Sequence, residues 1–197
     1  MDFIAHVWTH AVLAASALAI AMAIGIPLAA ATADRPLPRS VLLALAGGFR
    51  VVPSLAVLTL ALPLLGLGFA PALLALVVLA LPPIVINTDV GLRSVAATVI
   101  DAARGVGMTR AQAGRRVRWP LAIPVVAVGV RTAAVEVIAS ATLAAFIGAG
   151  GLGDYIVGGL ENANLAELLL GAVSVAVMAL LADAALGTVQ RRTAAAV

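Results

Sequence analysis

The 197-residue chain contains no cysteine and no lysine, and only 4% of its residues are aromatic. Without cysteine, it can form neither a disulfide nor a thiolate metal site. Without lysine, it cannot contain the Gly-x-x-x-x-Gly-Lys-Ser/Thr loop with which P-loop enzymes hold nucleoside triphosphates. Because aromatic rings are scarce, the chain also lacks the stacking platforms that bind single-stranded nucleic acids. Its net charge of +3 therefore does not indicate a nucleic-acid partner.

Charged residues are scarce too: they make up 11% of the chain, against 63% hydrophobic residues, and the mean hydropathy is +1.17. The apolar runs are continuous and reach the length of about 20 residues that a membrane-spanning helix needs. Barrel strands would instead alternate in segments of about 10 residues. Because only helices and closed barrels satisfy their backbone polar groups in lipid, the sequence predicts an all-α membrane protein.

Five transmembrane helices are predicted within a single transmembrane domain that covers residues 1–197. The first apolar run, residues 9–33, has no charge across 25 residues, which favours a span over a cleaved signal with an apolar core of about 7–15 residues. A turn at Asp34–Arg39 holds two prolines that stop the helix. The predicted spans lie at about 9–33, 41–64, 70–91, 119–148 and 168–189, with a hinge at 66–71, a polar insert at 93–118 and a polar surface segment at 154–167.

The arginines predict the orientation of these spans. All twelve basic residues are arginines: two lie at 34–40, six in the insert and two in the tail. Because cytoplasmic loops carry the excess of positive charge, we expect the insert and the C-terminus in the cytoplasm and the N-terminus outside.

Arg50 and Arg131 lie inside predicted spans, where a charge generally faces a polar interior or a partner. Glu136 is the nearest acidic residue in sequence, and Asp89 lies near the inner end of the third span. Two interpretations of these residues are open. In one, Arg50, Glu136 and Asp89 line a hydrated pathway. In the other, a buried Arg–Glu pair fixes helix packing. Arg131 alternatively extends towards the cytoplasmic surface.

His6 and His10 are four residues apart and share one face of a helix, which is compatible with a metal site. We favour interfacial residues beside Trp8 instead, and predict no metal. Neither histidine has a serine or cysteine partner for nucleophilic catalysis, so no catalytic residues are predicted either.

The polar insert carries the most specific motif. It is predicted as two short helices broken at Gly105 and Gly107. Asp101-Ala102-Ala103 is followed by three residues, then Gly107, then nine residues, then Val117-Arg118-Trp119-Pro120. This spacing resembles the EAA signature, Glu-Ala-Ala-x3-Gly-x9-Ile-x-Leu-Pro, of the permease subunits of bacterial binding-protein-dependent ABC importers. Small alanines let a helix sit close in a groove, and the glycine permits a sharp turn after it.

Further stretches, at 52–56, 63–68, 129–133 and 141–153, resemble the osmoprotectant branch of that family. The branch imports glycine betaine, choline, carnitine and related quaternary amines, and the resemblance covers roughly residues 40–190. Arg50, where a neutral polar residue is expected, and Glu136 depart from the pattern.

The resemblance implies a MetI-like ABC importer permease fold in the bacterial cytoplasmic (inner) membrane. Two permeases, identical or sister chains, form one pathway as a dimer, and a soluble substrate-binding protein docks outside near 149–167. Two cytoplasmic ATPases bind ATP and Mg and drive the region 98–112, so this chain has no ATPase site and no cofactor of its own. The implied coupling residues are Asp101, Ala102, Ala103, Arg104, Gly105, Gly107, Met108 and Arg110. The candidate pathway residues are Arg50, Pro53, Ser54, Asp89, Glu136 and Thr142.

Two alternative functions remain open. The same machine can carry another small solute, such as methionine. A proton-coupled secondary transporter would instead give Arg50, Glu136 and Asp89 the central roles and leave the insert without a purpose. Aromatic cages hold quaternary amines, and the few rings of this chain indicate that such recognition resides in the binding protein.

Overall fold

The structure is a computed structural model that describes residues 2–195, and every regular element in that range is helical. Within this described range, two irregular helices accompany nine α-helices: a π-helical turn at Gly114–Arg118 joins α6 to α7, and a 3-10 helix at Ala141–Ile147 follows α7. The α-helices are α1 Phe3–Thr32, α2 Pro36–Phe49, α3 Ser54–Leu65, α4 Phe69–Ser94, α5 Ala97–Gly105, α6 Arg110–Ala113, α7 Trp119–Ser140, α8 Gly153–Glu161 and α9 Leu165–Ala195.

Four helical stretches among the described residues are long and apolar enough to cross a membrane: α1, α4, the continuous stretch Arg110–Ile147 that contains α7, and α9. A fifth span is counted only if α2 and α3 are taken together, because the two helices meet at 97°. Residues 2–195 therefore contain four or five spans by length and composition.

The second predicted span, at about 41–64, is broken in the structure. The helix ends at Phe49, and α3 starts after Pro53. Proline lacks an N–H group and disfavours helical geometry at the residue before it, which accounts for the break. The predicted turn at Asp34–Arg39 is also too long, because α2 already begins at Pro36. Proline is tolerated in the first turn of a helix, where its N–H would be unpaired anyway.

The second half of the polar insert is an extension of a span rather than a separate helix. After α5 the chain turns at residues 106–109, and α6 then continues through the π-helical turn into α7. The arginines at 115, 116 and 118 therefore lie on one helical stretch with the apolar part of α7.

Helix α4 lies at the centre and packs most extensively against α7 and α1. At Gly129, α7 approaches α4 closely. A Cβ atom at that position would lie 2.6 Å from both the Asn87 Cβ and the Pro83 carbonyl oxygen. Small residues permit such approaches between helices in lipid. The core around this contact is accordingly rich in fully buried alanines, including Ala17, Ala72, Ala80 and Ala133.

The interfacial position predicted for His10 is wrong. Its side chain is fully buried, and its Nε2 lies 2.9 Å from the Ile138 carbonyl oxygen of α7. The glycine-rich loop after the 3-10 helix covers it, with Gly151 against the ring. His6 has a different neighbour, since its Nε2 lies 3.3 Å from Asp154 Oδ2 of α8. The two histidines thus fix α1 to separate parts of the molecule.

Candidate functional site

A sharply turned corner, residues 97–113, projects from the end of the helical bundle. Along α5, Asp101, Ala102 and Arg104 are exposed, whereas Ala103 faces inward and is buried. Val106 at the turn is 79% exposed. We call residues 97–113 the corner from here on.

Gly107 ends α5 in a conformation that favours glycine, with φ of +90°. The Met108 N–H donates to the Ala103 carbonyl at 3.2 Å, and the Gly107 N–H donates to the Arg104 carbonyl at 3.0 Å. This pair of hydrogen bonds defines a Schellman motif, which requires a left-handed residue at the glycine position. The structure thereby explains the glycine that follows the alanine pair after three intervening residues in the signature.

The next helix starts immediately after this turn. The Thr109 side chain accepts from the Gln112 N–H at 3.3 Å, while the Gln112 side chain accepts from the Thr109 N–H at 2.9 Å. This reciprocal capping box satisfies two N–H groups at the start of α6. The turn between α5 and α6 is therefore fixed on both sides by local hydrogen bonds, which gives the corner one defined shape.

Arg118 connects the stretch behind the corner to the rest of the bundle. Its Nη1 lies 2.9 Å and 3.0 Å from the two carboxylate oxygens of Asp34, and its Nε donates to the Leu92 carbonyl at 2.8 Å. The contacts join the start of α7 to the turn after α1 and the end of α4. Sequence reasoning placed Arg118 inside the signature but assigned it no role.

A cleft of about 420 Å³ lies between the corner and these helix ends. Arg104 and Arg110 line it and are exposed, and neither forms an ion pair within 4.0 Å among residues 2–195. Of the predicted coupling residues, Asp101, Arg104 and Arg110 line this cleft, while Ala102, Gly105 and Gly107 are exposed at the corner.

Among the described residues, two bidentate charged pairs join helices of the bundle. Arg39 of α2 forms a bidentate ion pair with Asp89 of α4, with Nε–Oδ1 at 2.6 Å and Nη2–Oδ2 at 2.7 Å. Asp89 is only 3% exposed. Its carboxylate is occupied by Arg39, and the pair holds the bent helix α2 against α4 instead of lining an open space.

Arg131 of α7 forms the second pair with Asp183 of α9. The contact is bidentate, with Nη2–Oδ2 at 2.6 Å, and Gln190 Oε1 lies 3.5 Å from Nη1. The guanidinium lies over Gly187, where a Cβ would be 3.4 Å from its central carbon. Arg131 therefore neither pairs with Glu136 nor extends to the surface alone. Sequence reasoning overlooked Asp183, although an acid followed by Gly187 and Gln190 at i+4 and i+7 marks a polar stripe on one helical face.

Glu136 is the one candidate pathway acid without such a partner. It is partly exposed, and it forms no hydrogen bond and no ion pair within 4.0 Å among the residues described. It lines a cleft of about 460 Å³ together with Val128, Arg131, Thr132, Val135, Asp183 and Gln190.

The remaining pathway candidates lie apart from that cleft. Arg50 and Pro53 are exposed at the break between α2 and α3, and Ser54 begins α3. Thr142 lies in the 3-10 helix, where its hydroxyl donates to the Ala139 carbonyl at 2.8 Å. Arg50 is close enough to attract Glu136 electrostatically.

Known proteins resemble this chain in sequence. Residues 21–195 match the model of a family described as the inner membrane component of binding-protein-dependent transport systems. The chain is 38% identical to the carnitine transport permease protein OpuCB of Listeria monocytogenes over 97% of its own length and 88% of that protein. It is 35% identical to the choline transport system permease protein OpuBB of Bacillus subtilis, covering 94% and 85%.

Solved structures share the fold at lower identity. An inward-facing structure of the MetNI methionine ABC transporter superimposes with a TM-score of 0.84 at 23% identity, over 97% of this chain and 95% of that one. A structure of an amino acid ABC transporter gives a TM-score of 0.80 at 22% identity, over 96% and 93%. At this level of identity the likeness concerns the fold alone.

Proposed function

This chain belongs to the family of inner membrane components of binding-protein-dependent transport systems, and from that premise we propose that it is the membrane-spanning subunit of an ATP-driven importer for osmoprotectants such as glycine betaine, choline or carnitine. The observation that carries the proposal is the identity of 35–38% to carnitine and choline permeases over almost the whole chain. The MetI-like fold alone is also compatible with a methionine importer, but the methionine transporter is only 23% identical.

The corner is the proposed coupling site for the ATPase. Its support is geometric: α5 presents small and charged side chains outward, and two local hydrogen-bonded motifs fix its turn. A rigid, exposed element can transmit a movement to the spans, and Arg118 ties the adjoining helix to the ends of α1 and α4. The proposed coupling residues are those of the signature, from Asp101 to Arg110.

We place the corner in the cytoplasm, the N-terminus outside and the C-terminus inside, as the arginine distribution requires. ATP and Mg are then bound by two partner ATPases, and this chain needs no cofactor of its own. An extracytoplasmic binding protein delivers the solute to the opposite side, near residues 149–167. We count α2 and α3 together as one broken span, which gives five spans.

A second permease copy, identical or sister, completes the pathway. The large apolar residues exposed along α9, such as Leu180 and Leu181, are consistent with burial against lipid or another chain. Four or five spans enclose little space by themselves, which also favours pairing.

The proposal is tested with proteoliposomes that contain the complete importer, with ATP inside and the binding protein outside. We expect uptake of radiolabelled glycine betaine, choline or carnitine that needs ATP and persists when the proton gradient is collapsed. Uptake that survives ATP depletion and follows the proton gradient would show a secondary transporter instead. ATP-dependent uptake of methionine, with none of the three amines, would retain the importer and refute the substrate class.

A further inference from the structure

The start of α1 is joined to the start of α8 by a small group of polar and aromatic side chains. His6 Nε2 of α1 lies 3.3 Å from Asp154 Oδ2 of α8. The His6 ring also packs at a steep angle against the Tyr155 ring, with 5.2 Å between their centroids, and Phe3 packs against Tyr155 in the same way at 5.7 Å. One contact in this group, between His6 and Asp154, therefore depends on charge.

Both ring nitrogens of His6 face oxygen atoms that accept hydrogen bonds. Nδ1 lies 2.8 Å from the Asp2 carbonyl oxygen, and because a carbonyl can only accept, Nδ1 carries the proton of that hydrogen bond. In a neutral ring, Nε2 would then present its lone pair to the Asp154 carboxylate, and the two would repel each other. In the charged ring both nitrogens carry protons. The observed contacts therefore suit a charged His6.

No other cation takes the place of His6 at this carboxylate. The chain has no lysine, and among residues 2–195 no arginine lies within 4.0 Å of Asp154. The Asp2 side chain accepts from the Ile4 N–H at 3.1 Å at the start of α1, and His10 is buried against another helix. The remaining acidic residues of α8 and of the start of α9 lie at the opposite end of α8: Glu161 and Glu167.

Helix α8 is packed closely on α9, so the two form one unit. A Cβ atom at Gly159 would lie 2.4 Å from the Leu168 backbone nitrogen, and a Cβ atom at Gly171 would lie 2.8 Å from the Tyr155 Cβ. The contact between His6 and Asp154 ties this unit to α1. Their side chains are 20% and 27% exposed, so the pair is accessible to protons from solution.

We propose that His6 and Asp154 form a pH-sensitive latch between α1 and α8. Histidine changes its charge between about pH 5 and 8. The charged ring attracts the carboxylate at the acidic end of this range, and the neutral ring releases it as the pH rises. With the N-terminus outside, as proposed for this chain, the external pH sets the latch.

The latch acts on the segment that we assign to the binding protein, because α8 lies within residues 149–167. When the latch is closed, α8 presents one defined surface. When it is open, docking has to order α8 first, which costs free energy of association. External acid therefore favours docking and uptake. This consequence rests on the proposed function, whereas the latch itself rests only on the contacts between α1 and α8.

The latch is tested by measuring the separation of α1 and α8 at two pH values. The chain has no cysteine, so Ile4→Cys and Leu160→Cys, at two exposed positions, carry a pair of spin labels. The labelled full-length chain is diluted with unlabelled chain in lipid nanodiscs, and pulsed electron resonance gives the distance distribution. We expect a narrow distribution at about pH 5.5 and a broader, longer one at about pH 8.5.

Variants of the latch separate its charge from the packing around it. His6→Arg keeps a positive charge throughout and should give the narrow distribution at both pH values. His6→Gln and Asp154→Asn should give the broad one at both. Glu161→Gln is the matched control, because Glu161 is exposed and forms no ion pair within 4.0 Å among the described residues, and it should respond to pH like the wild type.

The effect on transport is measured in proteoliposomes with the complete importer, limiting binding protein and a fixed internal pH. The ratio of glycine betaine uptake by the wild type to uptake by His6→Arg cancels any effect of pH on the binding protein. We expect a ratio near one at an external pH of about 5.5 and a fall of at least about twofold at about 8.5.

Two results overturn the inference while leaving the importer intact. One is a distance distribution of the wild type that does not change with pH, or that changes equally in His6→Gln. The other is a constant uptake ratio at both external pH values, which refutes control of docking by the latch. If the wild type shows no ATP-dependent uptake at either pH, the proposed function fails, and the spin-label distances still decide whether the latch exists.

Discussion

Arginines that lie between helices of the bundle differ from the arginines of the corner. Arg39 and Arg131 are each held bidentately by a carboxylate of another helix. In the corner, Arg104 and Arg110 are exposed and form no ion pair within 4.0 Å among residues 2–195. A charge packed between helices is withdrawn from water and needs an internal partner. Water can solvate an exposed charge, so a corner arginine remains available to another protein.

Arg50 and Glu136 differ from these paired residues because neither has an ion-pair partner within 4.0 Å among the described residues. Glu136 lies in α7, and Arg50 lies at the exposed break between α2 and α3. A charge that departs from the rule of its surroundings is a functional candidate. Variants of the paired residues and of the corner test this difference.

The largest effect is expected from breaking a paired charge between spans. Asp89→Leu leaves Arg39 without its partner, and removing one member of a buried pair is strongly destabilising. We expect the melting temperature in detergent to fall by about 5 °C or more. The fluorescence of Trp8 and Trp119 reports the unfolding.

A double variant isolates the pairing from the loss of one side chain. Arg39→Leu/Asp89→Leu removes both charges and should regain part of the lost melting temperature, because no unpaired charge remains. If the single and double variants melt like the wild type, the pair does not hold α2 on α4.

An intermediate effect is expected at the junction between the two regions. Arg118→Gln loses both contacts with Asp34. The corner then moves less rigidly with the spans, and ATP-driven uptake should fall about fivefold, the effect of about 1 kcal/mol. The control is Arg116→Gln, since Arg116 is exposed and forms no ion pair within 4.0 Å among the described residues. Equal rates for both variants would refute an anchoring role for Arg118.

The smallest effect concerns the shape of the corner itself. Gly107→Ala must place a Cβ in a left-handed conformation at φ of +90°, which costs about 1 kcal/mol. We expect an affinity for the ATPase that is lower by about fivefold. Gly114→Ala is the comparison, because Gly114 has φ of −59° and no atom lies within 4 Å of the position that the added methyl group would take. Matching losses in both variants would show that methyl bulk, and not the turn, weakens binding.

Local features were predictable from the sequence because neighbouring residues determine them. The helix break near Gly107 followed from the signature spacing, and the apolar runs indicated helices throughout. The break at Pro53 follows from the proline itself, but its angle of 97° depends on how α2 and α3 pack against α4.

The charged pairs could not be predicted in the same way. Asp89 is 50 residues from Arg39, and Asp183 is 52 residues from Arg131. Only the packing of the helices decides which of several acids meets each arginine, so the nearest acid in sequence, Glu136, was an incorrect partner. The burial of His10 has the same origin, since its partner Ile138 is 128 residues away.

The central claim is that the corner is the surface on which the ATPase docks. Because the chain has no cysteine, a single introduced thiol gives an unambiguous cross-linking site. Val106→Cys places it at the exposed turn, and Glu161→Cys places it at the end of α8, on the side we assign to the binding protein. With a short reagent that reacts with the introduced thiol at one end and with any neighbouring group on illumination at the other, we predict that Val106→Cys cross-links to the ATPase in the assembled importer and Glu161→Cys does not. Cross-linking to the ATPase through Glu161→Cys, with none through Val106→Cys, would contradict the account.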